Sequence, residues 1–295
     1  MKDGIRHRID LHSHSTASDG TFSPAELAAE ARRQGLYAFA LTDHDSVYGL
    51  EEARAAAEEQ GVGFIPGMEM SVSYLEGQIH VVALGFDADH PAFQKLYKRI
   101  RQTKEEGMDQ VLEAIARRGL RIRREELVPY SMFDIIDRYA IMRYLKAQGT
   151  HGSISDIWHR YIDPALVEAG VHKNVTPEEA LPAIQEAGGM TSLAHFHKKI
   201  GLQGHSREAQ EKAVADLVDM GLTGMEQFYP DYTIADQAFA GYLIHKYALT
   251  PTAGSDFHGA NRPGVELGHG EDENFCADKD MLEAILTRIE NFYIV

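Results

Sequence analysis

The chain of 295 residues contains a single cysteine, Cys276. One cysteine excludes an intrachain disulfide and a metal site built from several thiolates, and it fits a reducing compartment. The polar segment from Met1 to Arg8 lacks the apolar core of a signal peptide. No apolar run approaches the roughly 18 residues of a membrane span. We therefore expect a cytoplasmic protein that does not engage a membrane.

Basic residues are scarce, since 29 Lys and Arg stand against 45 Asp and Glu and the formal net charge is -16. This excess of acid disfavours duplex DNA as a partner, because DNA binding depends on Lys and Arg that neutralise phosphates. A small phosphorylated substrate remains compatible, since bound divalent cations would dominate the local field. The composition carries no signal for the oligomeric state.

Short apolar runs alternate with helical patterns, which predicts βα units and a largely parallel sheet. Helices are predicted to begin after Ser23 and Thr176, where Pro and then Glu follow at capping positions. The predicted strands are residues 9–11, 37–41, 62–66, 79–86, 190–194, 223–227 and 249–253.

The alternation stops between residues 91 and 174, where only helical periodicity remains. Val111, Leu112 and Ile115 mark one apolar face in this stretch. A segment of this length is too long for a connection between strands. We therefore predict a catalytic domain formed by residues 1–90 and 175–295, with an inserted helical lobe at residues 91–174.

Imidazoles and carboxylates recur at one kind of position, directly after a predicted strand. The residues placed there are His12, His14, His44, Glu69, His195, Asp256 and His258. Asp19 lies in the loop after the first strand, and His80 is predicted to lie beside Glu69 across a hairpin. In a β/α barrel the carboxyl ends of the strands meet at one rim, so we expect these nine side chains to converge.

This set of donors suits Zn²⁺, Mn²⁺ or Fe²⁺. In extended chain the side chains of His12 and His14 point the same way, so both can hold one ion. Glu69 can bridge two ions through its two oxygens. Three nearby carboxylates are predicted to orient the imidazoles by hydrogen bonding: Asp10, Asp43 and Asp45. Each motif alone is also compatible with a turn or a helix cap, but their joint occurrence favours a metal centre.

Six motifs span nearly the whole chain. They are D-L-H-S-H-S-T-A-S-D-G at 10–20, L-T-D-H-D at 41–45, G-M-E-M at 67–70, I-H-V-V-A-L-G-F at 79–86, A-G-G-M-T-S-L-A-H at 187–195 and G-S-D-F-H at 254–258. Together they resemble the polymerase and histidinol phosphatase (PHP) superfamily, in particular its TrpH-like phosphoesterases. The resemblance implies an α/β fold, a distorted seven-stranded, TIM-like β/α barrel with a helical insertion lobe that covers the active site.

The resemblance also implies a centre of two or three divalent ions, Mn, Zn or Fe. In its trinuclear form the ligand sets are His12, His14, Glu69 and Asp256 for one ion, Glu69, His80 and His195 for a second, and Asp19, His44 and His258 for a third. Relatives hydrolyse phosphomonoesters, including the 3′-phosphate of nucleoside 3′,5′-bisphosphates, and some trim the 5′ ends of short RNAs.

We accordingly predict a hydrolase that cleaves a small phosphomonoester with metal-activated hydroxide, the leading substrate being a nucleoside 3′,5′-bisphosphate. Three alternatives stay open. One is an exonuclease-type phosphodiesterase that acts on short oligonucleotides. Another is an amidohydrolase-like enzyme that attacks a bond other than a phosphate ester. The third, a metal-binding module without activity, ranks last because all nine ligand positions are filled.

Three residues are candidates for contacts with the substrate phosphate: Arg138, His197 and Lys198. A guanidinium matches phosphate with two hydrogen bonds, and His197 could protonate the leaving alkoxide. Each is equally compatible with a solvent-facing role. Relatives often carry G-R-P-H where this chain has D-R-Y-A at 137–140, and Pro where it has Phe196. The substrate pocket is therefore the part expected to differ from relatives.

Overall fold

The structure is a computed structural model, and it describes residues 8–131, 136–149, 152–170, 174–275 and 277–293. Cys276 lies outside the described residues. The chain divides into two compact units, residues 1–96 with 176–295 and residues 97–175. The predicted domain boundaries at residues 91 and 174 stay a prediction, as does the covering of the active site by the lobe.

The first unit contains a seven-stranded sheet whose strands are hydrogen-bonded in chain order. Neighbouring strands are parallel except that β4 runs antiparallel to both β3 and β5. The largely parallel α/β sheet predicted from the sequence is therefore confirmed. The strands are β1 Ile9–Asp10, β2 Ala38–Leu41, β3 Gly63–Tyr74, β4 Gly77–Leu84, β5 Met190–Leu193, β6 Gly224–Phe228 and β7 Thr250–Ala253. A separate antiparallel pair consists of β8 Val265–Glu266 and β9 Gly270–Glu271.

Helices connect the strands of the sheet and make up most of the second unit. They are α1 Pro24–Arg33, α2 Leu50–Gln60, α3 Pro91–Glu105, α4 Met108–Arg117, α5 Arg124–Leu127, α6 Arg138–Gln148, α7 Ile154–Ile157, α8 Asp163–Ala169, α9 Pro177–Glu186, α10 Arg207–Asp219, α11 Ile234–Lys246 and α12 Lys279–Leu286. Both predicted capping boxes are present, at Ser23 before α1 and at Thr176 before α9. None of the helices in the described part of the chain has the length and apolar character needed to cross a membrane.

The cores of both units follow the apolar pattern of the sequence. Every residue of β2 is fully buried, as expected for a strand covered on both faces. In the second unit Val111, Leu112 and Ile115 of α4 are buried in a separate apolar core. The predicted apolar face of that helix is therefore confirmed.

The chain after β1 lies against the chain after β7. The Leu11 amide donates to the Ala253 carbonyl at 3.1 Å, and Ser13 pairs with Phe257 in a parallel bridge. These contacts bring two of the ligand-bearing loops together. Closure of the sheet into a barrel stays a prediction from the resemblance.

Candidate metal centre

The loops after β1 and β7 approach each other closely where they carry candidate ligands. A Cβ atom on Gly254 would lie 2.0 Å from the Cβ of His12, so only glycine fits at this crossing. Asp256, two residues later, has a φ of 55°, and His195 after β5 has a φ of 25°. Such backbone conformations cost energy for residues other than glycine and are found at functional sites.

The carboxylate of Glu69 is fully buried and contacts five imidazoles. Its Oε2 atom lies 3.2 Å, 3.3 Å and 3.0 Å from nitrogens of His12, His14 and His44. Its Oε1 atom lies 2.7 Å from Nδ1 of His80 and 2.9 Å from Nε2 of His195. The two oxygens of one side chain therefore face two different groups of histidines.

Glu69 lies inside β3, and the prediction that it follows the end of a strand was wrong. The strand continues to Tyr74 because its second half pairs with β4 in an antiparallel hairpin. His80 lies on β4, opposite Ser71, so the predicted hairpin that brings His80 to Glu69 is present.

Two further carboxylates complete the cluster. Asp256 Oδ1 lies 3.5 Å from His12 Nε2 and 3.2 Å from His14 Nε2. Asp19 Oδ1 lies 3.3 Å from His258 Nε2, and Asp19 Oδ2 lies 3.8 Å from His44 Nε2. Asp256 thus lies between two histidines of one loop, the loop after β1. Asp19 lies between two histidines from different loops.

In the part of the chain that the structure describes, three groups of residues have ligand atoms within 4.8 Å of one another. They are His12, His14, Glu69 and Asp256; His44, Glu69 and His80; and His14, Asp19, His44 and His258. His195 adjoins the second group through Glu69. The structure therefore brings all nine predicted residues into one mostly buried cluster.

The donor atoms of this cluster fit divalent cations. Among the described residues, His12 Nε2, His14 Nε2 and Glu69 Oε2 are buried and make no hydrogen bond. Buried polar atoms are normally satisfied, so atoms left without a hydrogen bond and converging on one point indicate a place for a ligand. Imidazole nitrogen and carboxylate oxygen together suit Zn²⁺, Mn²⁺ or Fe²⁺.

Comparison with known proteins identifies the family. The model of the PHP domain matches residues 10–166. A 3′,5′-nucleoside bisphosphate phosphatase from Chromobacterium violaceum is 31% identical over 265 residues, which is 90% of this chain and 92% of the relative. The chain belongs to the PHP domain family.

A second relative and a solved structure are also similar to this chain. A 5′-3′ exoribonuclease from Haemophilus influenzae is 30% identical over 254 residues, covering 85% of this chain and 90% of the relative. A candidate metal-dependent phosphoesterase from Bifidobacterium adolescentis has a known structure with a TM-score of 0.81, 24% identity and 96% coverage of both chains. That likeness shows the fold. The predicted membership of the PHP superfamily is confirmed.

Glu226, a buried residue that was not predicted from the sequence, contacts two of the nine clustered residues, His12 and His195. Glu226 Oε1 lies 2.7 Å from His12 Nδ1, and the backbone amide of His195 donates to Glu226 Oε2 at 2.7 Å. With the proton of His12 on Nδ1, its Nε2 lone pair faces Glu69. The signal that could have found Glu226 is a charged residue inside a buried strand, where such a residue requires partners.

Asp10 and Asp45, two of the three carboxylates predicted to orient the imidazoles, accept hydrogen bonds from backbone amides. Asp10 accepts hydrogen bonds from the backbone amides of His12 at 3.2 Å and Ser255 at 3.0 Å. Asp45 accepts from the amide of Ser71 at 2.7 Å, and its predicted role in orienting an imidazole stays a prediction. The prediction for Asp10 was wrong in its detail, because this carboxylate satisfies backbone N–H groups left unpaired at the strand ends. It positions the loop rather than an imidazole ring.

Asp43 reaches a histidine through an intermediate serine. Its Oδ1 accepts from Ser18 Oγ at 2.5 Å, and Ser18 Oγ lies 3.5 Å from His14 Nδ1. Asp43 also accepts from the amide and the hydroxyl of Ser15. The predicted orienting role of Asp43 toward His14 thus remains a prediction, now with Ser18 as the connecting group.

Of the three candidate substrate contacts, Lys198 lies at the cluster. Its Nζ atom is 3.5 Å from Asp256 Oδ2. The ring of His197 packs 4.9 Å from that of Tyr232, and burial lowers the pKa of His197. Arg138 is the first residue of α6, in the second unit, with its guanidinium 5.3 Å from the ring of Tyr139. Their roles toward substrate stay predictions.

The carboxylates and imidazoles of the cluster shift one another's pKa values. Burial alone would raise the pKa of Glu69, but His80, His12 and His44 hold it well below its usual value. Burial would likewise lower the pKa of His14, yet the adjacent carboxylates of Asp256 and Glu69 raise it to about 10. In the ion-free protein a proton on His14 therefore offsets part of the negative charge of Glu69 and Asp256. A bound cation would offset the same negative charge.

The ion-free protein is expected to lose thermal stability as the pH rises from about 7 to about 10. A histidine whose folded-state pKa is raised stabilises the fold fully below its unfolded value of 6.5, and this stabilisation is lost as the pH rises through about 10. With a divalent cation bound, His14 carries no proton to lose. Thermal denaturation at several pH values, with Mn²⁺ and after chelation, tests this. Parallel declines in both samples would contradict it.

Proposed function

We propose that this PHP-family protein is a metal-dependent phosphoesterase that releases the 3′-phosphate of a nucleoside 3′,5′-bisphosphate. The enzyme class, a hydrolase of phosphate esters, agrees with the activities named for its relatives. The observation that carries the proposal is the position of Glu69, whose two oxygens face separate groups of histidines. A carboxylate in this position can hold two cations close together, as phosphoesterase centres require.

We propose three cation positions, occupied by Mn, Zn or Fe. His12, His14, Glu69 and Asp256 form the first ligand set, Glu69, His80 and His195 the second, and Asp19, His44 and His258 the third. When bound, the cations lower the pKa of a water molecule and offset charge on the phosphoryl group. Their total charge also makes an anionic substrate compatible with a chain of net charge -16.

The chain's own groups orient the ligands and the substrate. Glu226 holds the His12 ring so that Nε2 faces Glu69 and Asp256. His197, two residues after the candidate ligand His195, is the proposed donor of a proton to the leaving alkoxide. Lys198 and Arg138 are the proposed contacts for substrate phosphates. We further propose that the protein is cytoplasmic and that the inserted lobe at residues 91–174 covers the active site.

A second candidate function is removal of nucleotides from the 5′ end of short RNA. The observation that favours it is the 30% identity to the exoribonuclease from Haemophilus influenzae over 85% of this chain. Both activities require attack on a phosphate ester by the same centre. They differ in the group that must fit beside the scissile phosphate.

The test measures release of inorganic phosphate from nucleoside 3′,5′-bisphosphates and nucleoside 5′-monophosphates, and release of mononucleotides from 5′-phosphorylated RNA oligonucleotides. We expect the bisphosphates to be the best substrates, with inorganic phosphate leaving from the 3′ position, and chelation to abolish the activity until Mn²⁺ is restored. Higher kcat/KM for the oligonucleotides would favour the second candidate. Hydrolysis of amide substrates without release from any phosphate ester would contradict both.

A further inference from the structure

Asp256 has its two carboxylate oxygens in different surroundings. The Oδ1 atom faces the imidazoles of His12 and His14. The Oδ2 atom accepts a hydrogen bond from the hydroxyl of Tyr229 at 2.6 Å and another from Nη1 of Arg262 at 2.8 Å. Oδ2 therefore accepts hydrogen bonds from two strong donors, one of them charged. It is occupied by these contacts within the protein, whereas Oδ1 faces the histidines.

Arg262 also holds the backbone of this segment. Its Nη1 atom lies 3.1 Å from the carbonyl oxygens of both Ser255 and Asp256. Asp256 has the left-handed backbone conformation, and Ser255 is the residue before it. The same guanidinium therefore contacts the side chain and the main chain of one candidate ligand, which a planar group with several fixed donors can do.

The guanidinium is itself fixed on its other side. Nη2 of Arg262 donates to Asp231 Oδ2 at 2.8 Å, and the guanidinium carbon lies 5.2 Å from the centre of the Tyr229 ring. Tyr229 is buried, and the Arg262 side chain is 19% exposed. Arg262 is thus held between Asp231 and Asp256 and stacked against the tyrosine that shares its acceptor.

We propose that Arg262 and Tyr229 are positioning residues that turn Asp256 so that it offers a single oxygen, Oδ1, to a divalent cation. The inference rests on the proposed function, because it takes the cluster to be a cation centre. Neither residue was among the candidates drawn from the sequence. Withdrawing Oδ2 limits the coordination number of the cation next to His12 and His14, which leaves a position for water or substrate.

The test compares Arg262→Lys and Tyr229→Phe with the wild type. Lysine keeps the charge but cannot contact Asp231, Asp256 and the two carbonyls together, and phenylalanine keeps the ring but loses the donor. We expect both variants to bind Mn²⁺ about 10- to 100-fold more weakly by calorimetry, the usual effect of removing a residue that supports a ligand. In protein loaded with Co²⁺, the visible absorption should weaken, since a second oxygen from Asp256 raises the coordination number.

One matched control is Arg54→Lys, which removes the paired hydrogen bonds from the Arg54 guanidinium to the Glu51 carboxylate at the surface. The other is Tyr242→Phe, which removes the hydroxyl of an exposed tyrosine on α11. Both should bind Mn²⁺ like the wild type. Wild-type affinity and an unchanged Co²⁺ spectrum in Arg262→Lys and Tyr229→Phe would overturn the inference, even if their melting temperatures fall. A wild type that binds no divalent cation overturns the proposed function as well. A wild type that binds Mn²⁺ but releases no phosphate contradicts only the proposed function.

Discussion

Replacing Glu69 by Gln is expected to reduce phosphate release more than about 100-fold, beyond the usual loss for a residue that only supports a ligand. The amide has no charge and only one oxygen, so it cannot face both groups of histidines as the carboxylate does. Two of the three candidate ligand groups contain Glu69. Metal analysis should therefore find fewer bound ions per chain than in the wild type.

The matched control is Glu59→Gln, which removes an exposed carboxylate from α2. This variant should retain both metal content and activity. Near-wild-type turnover by Glu69→Gln, with its fold verified by circular dichroism, would show that the buried carboxylate is not part of a catalytic centre. Loss of activity with full metal content would instead exclude the bridging role proposed for Glu69.

Asp256→Asn is expected to lower kcat by a similar factor while the fold remains intact. Asparagine matches the size of aspartate and tolerates the left-handed backbone conformation that Asp256 adopts at a φ of 55°. The substitution therefore removes charge from the cluster with little backbone strain. Steady-state assays at saturating Mn²⁺, together with calorimetric Mn²⁺ titrations, measure the effect.

Asp272→Asn provides the control for this substitution. Asp272 has a φ of 51° and is exposed, so it shares the backbone conformation of Asp256 but not its surroundings. We expect no change in activity or metal affinity. Equal activity of Asp256→Asn and Asp272→Asn would refute a ligand role for Asp256. Unfolding of both variants would assign the effect at Asp256 to its backbone instead.

The two substitutions test different properties of the cluster. Glu69 is shared between ligand groups, and Asp256 belongs to one. Stoichiometry should therefore fall further in Glu69→Gln than in Asp256→Asn. This difference would support more than one cation per chain, which remains a proposal.

The identity of the candidate ligands was determined by the sequence alone. Parallel strands deliver the residues that follow them to one edge, so His12, His195 and Asp256 could be expected to meet although they are distant in the chain. The motifs around them resembled one family, and the family model and relatives bear this out. Local patterns were sufficient here, because strand ends and capping boxes depend on a few neighbouring residues.

The partners of those ligands were decided only by the tertiary structure. Glu226 is 214 residues from His12, and no local pattern pairs them. Strand pairing extended β3 past Glu69, and the approach of the segment around Arg262 determined which oxygen of Asp256 faces the histidines. Hydrogen bonds of this kind depend on distance and direction between side chains on separate elements. Residue type and spacing along the chain do not specify these distances and directions. They are determined only when the separate elements pack together.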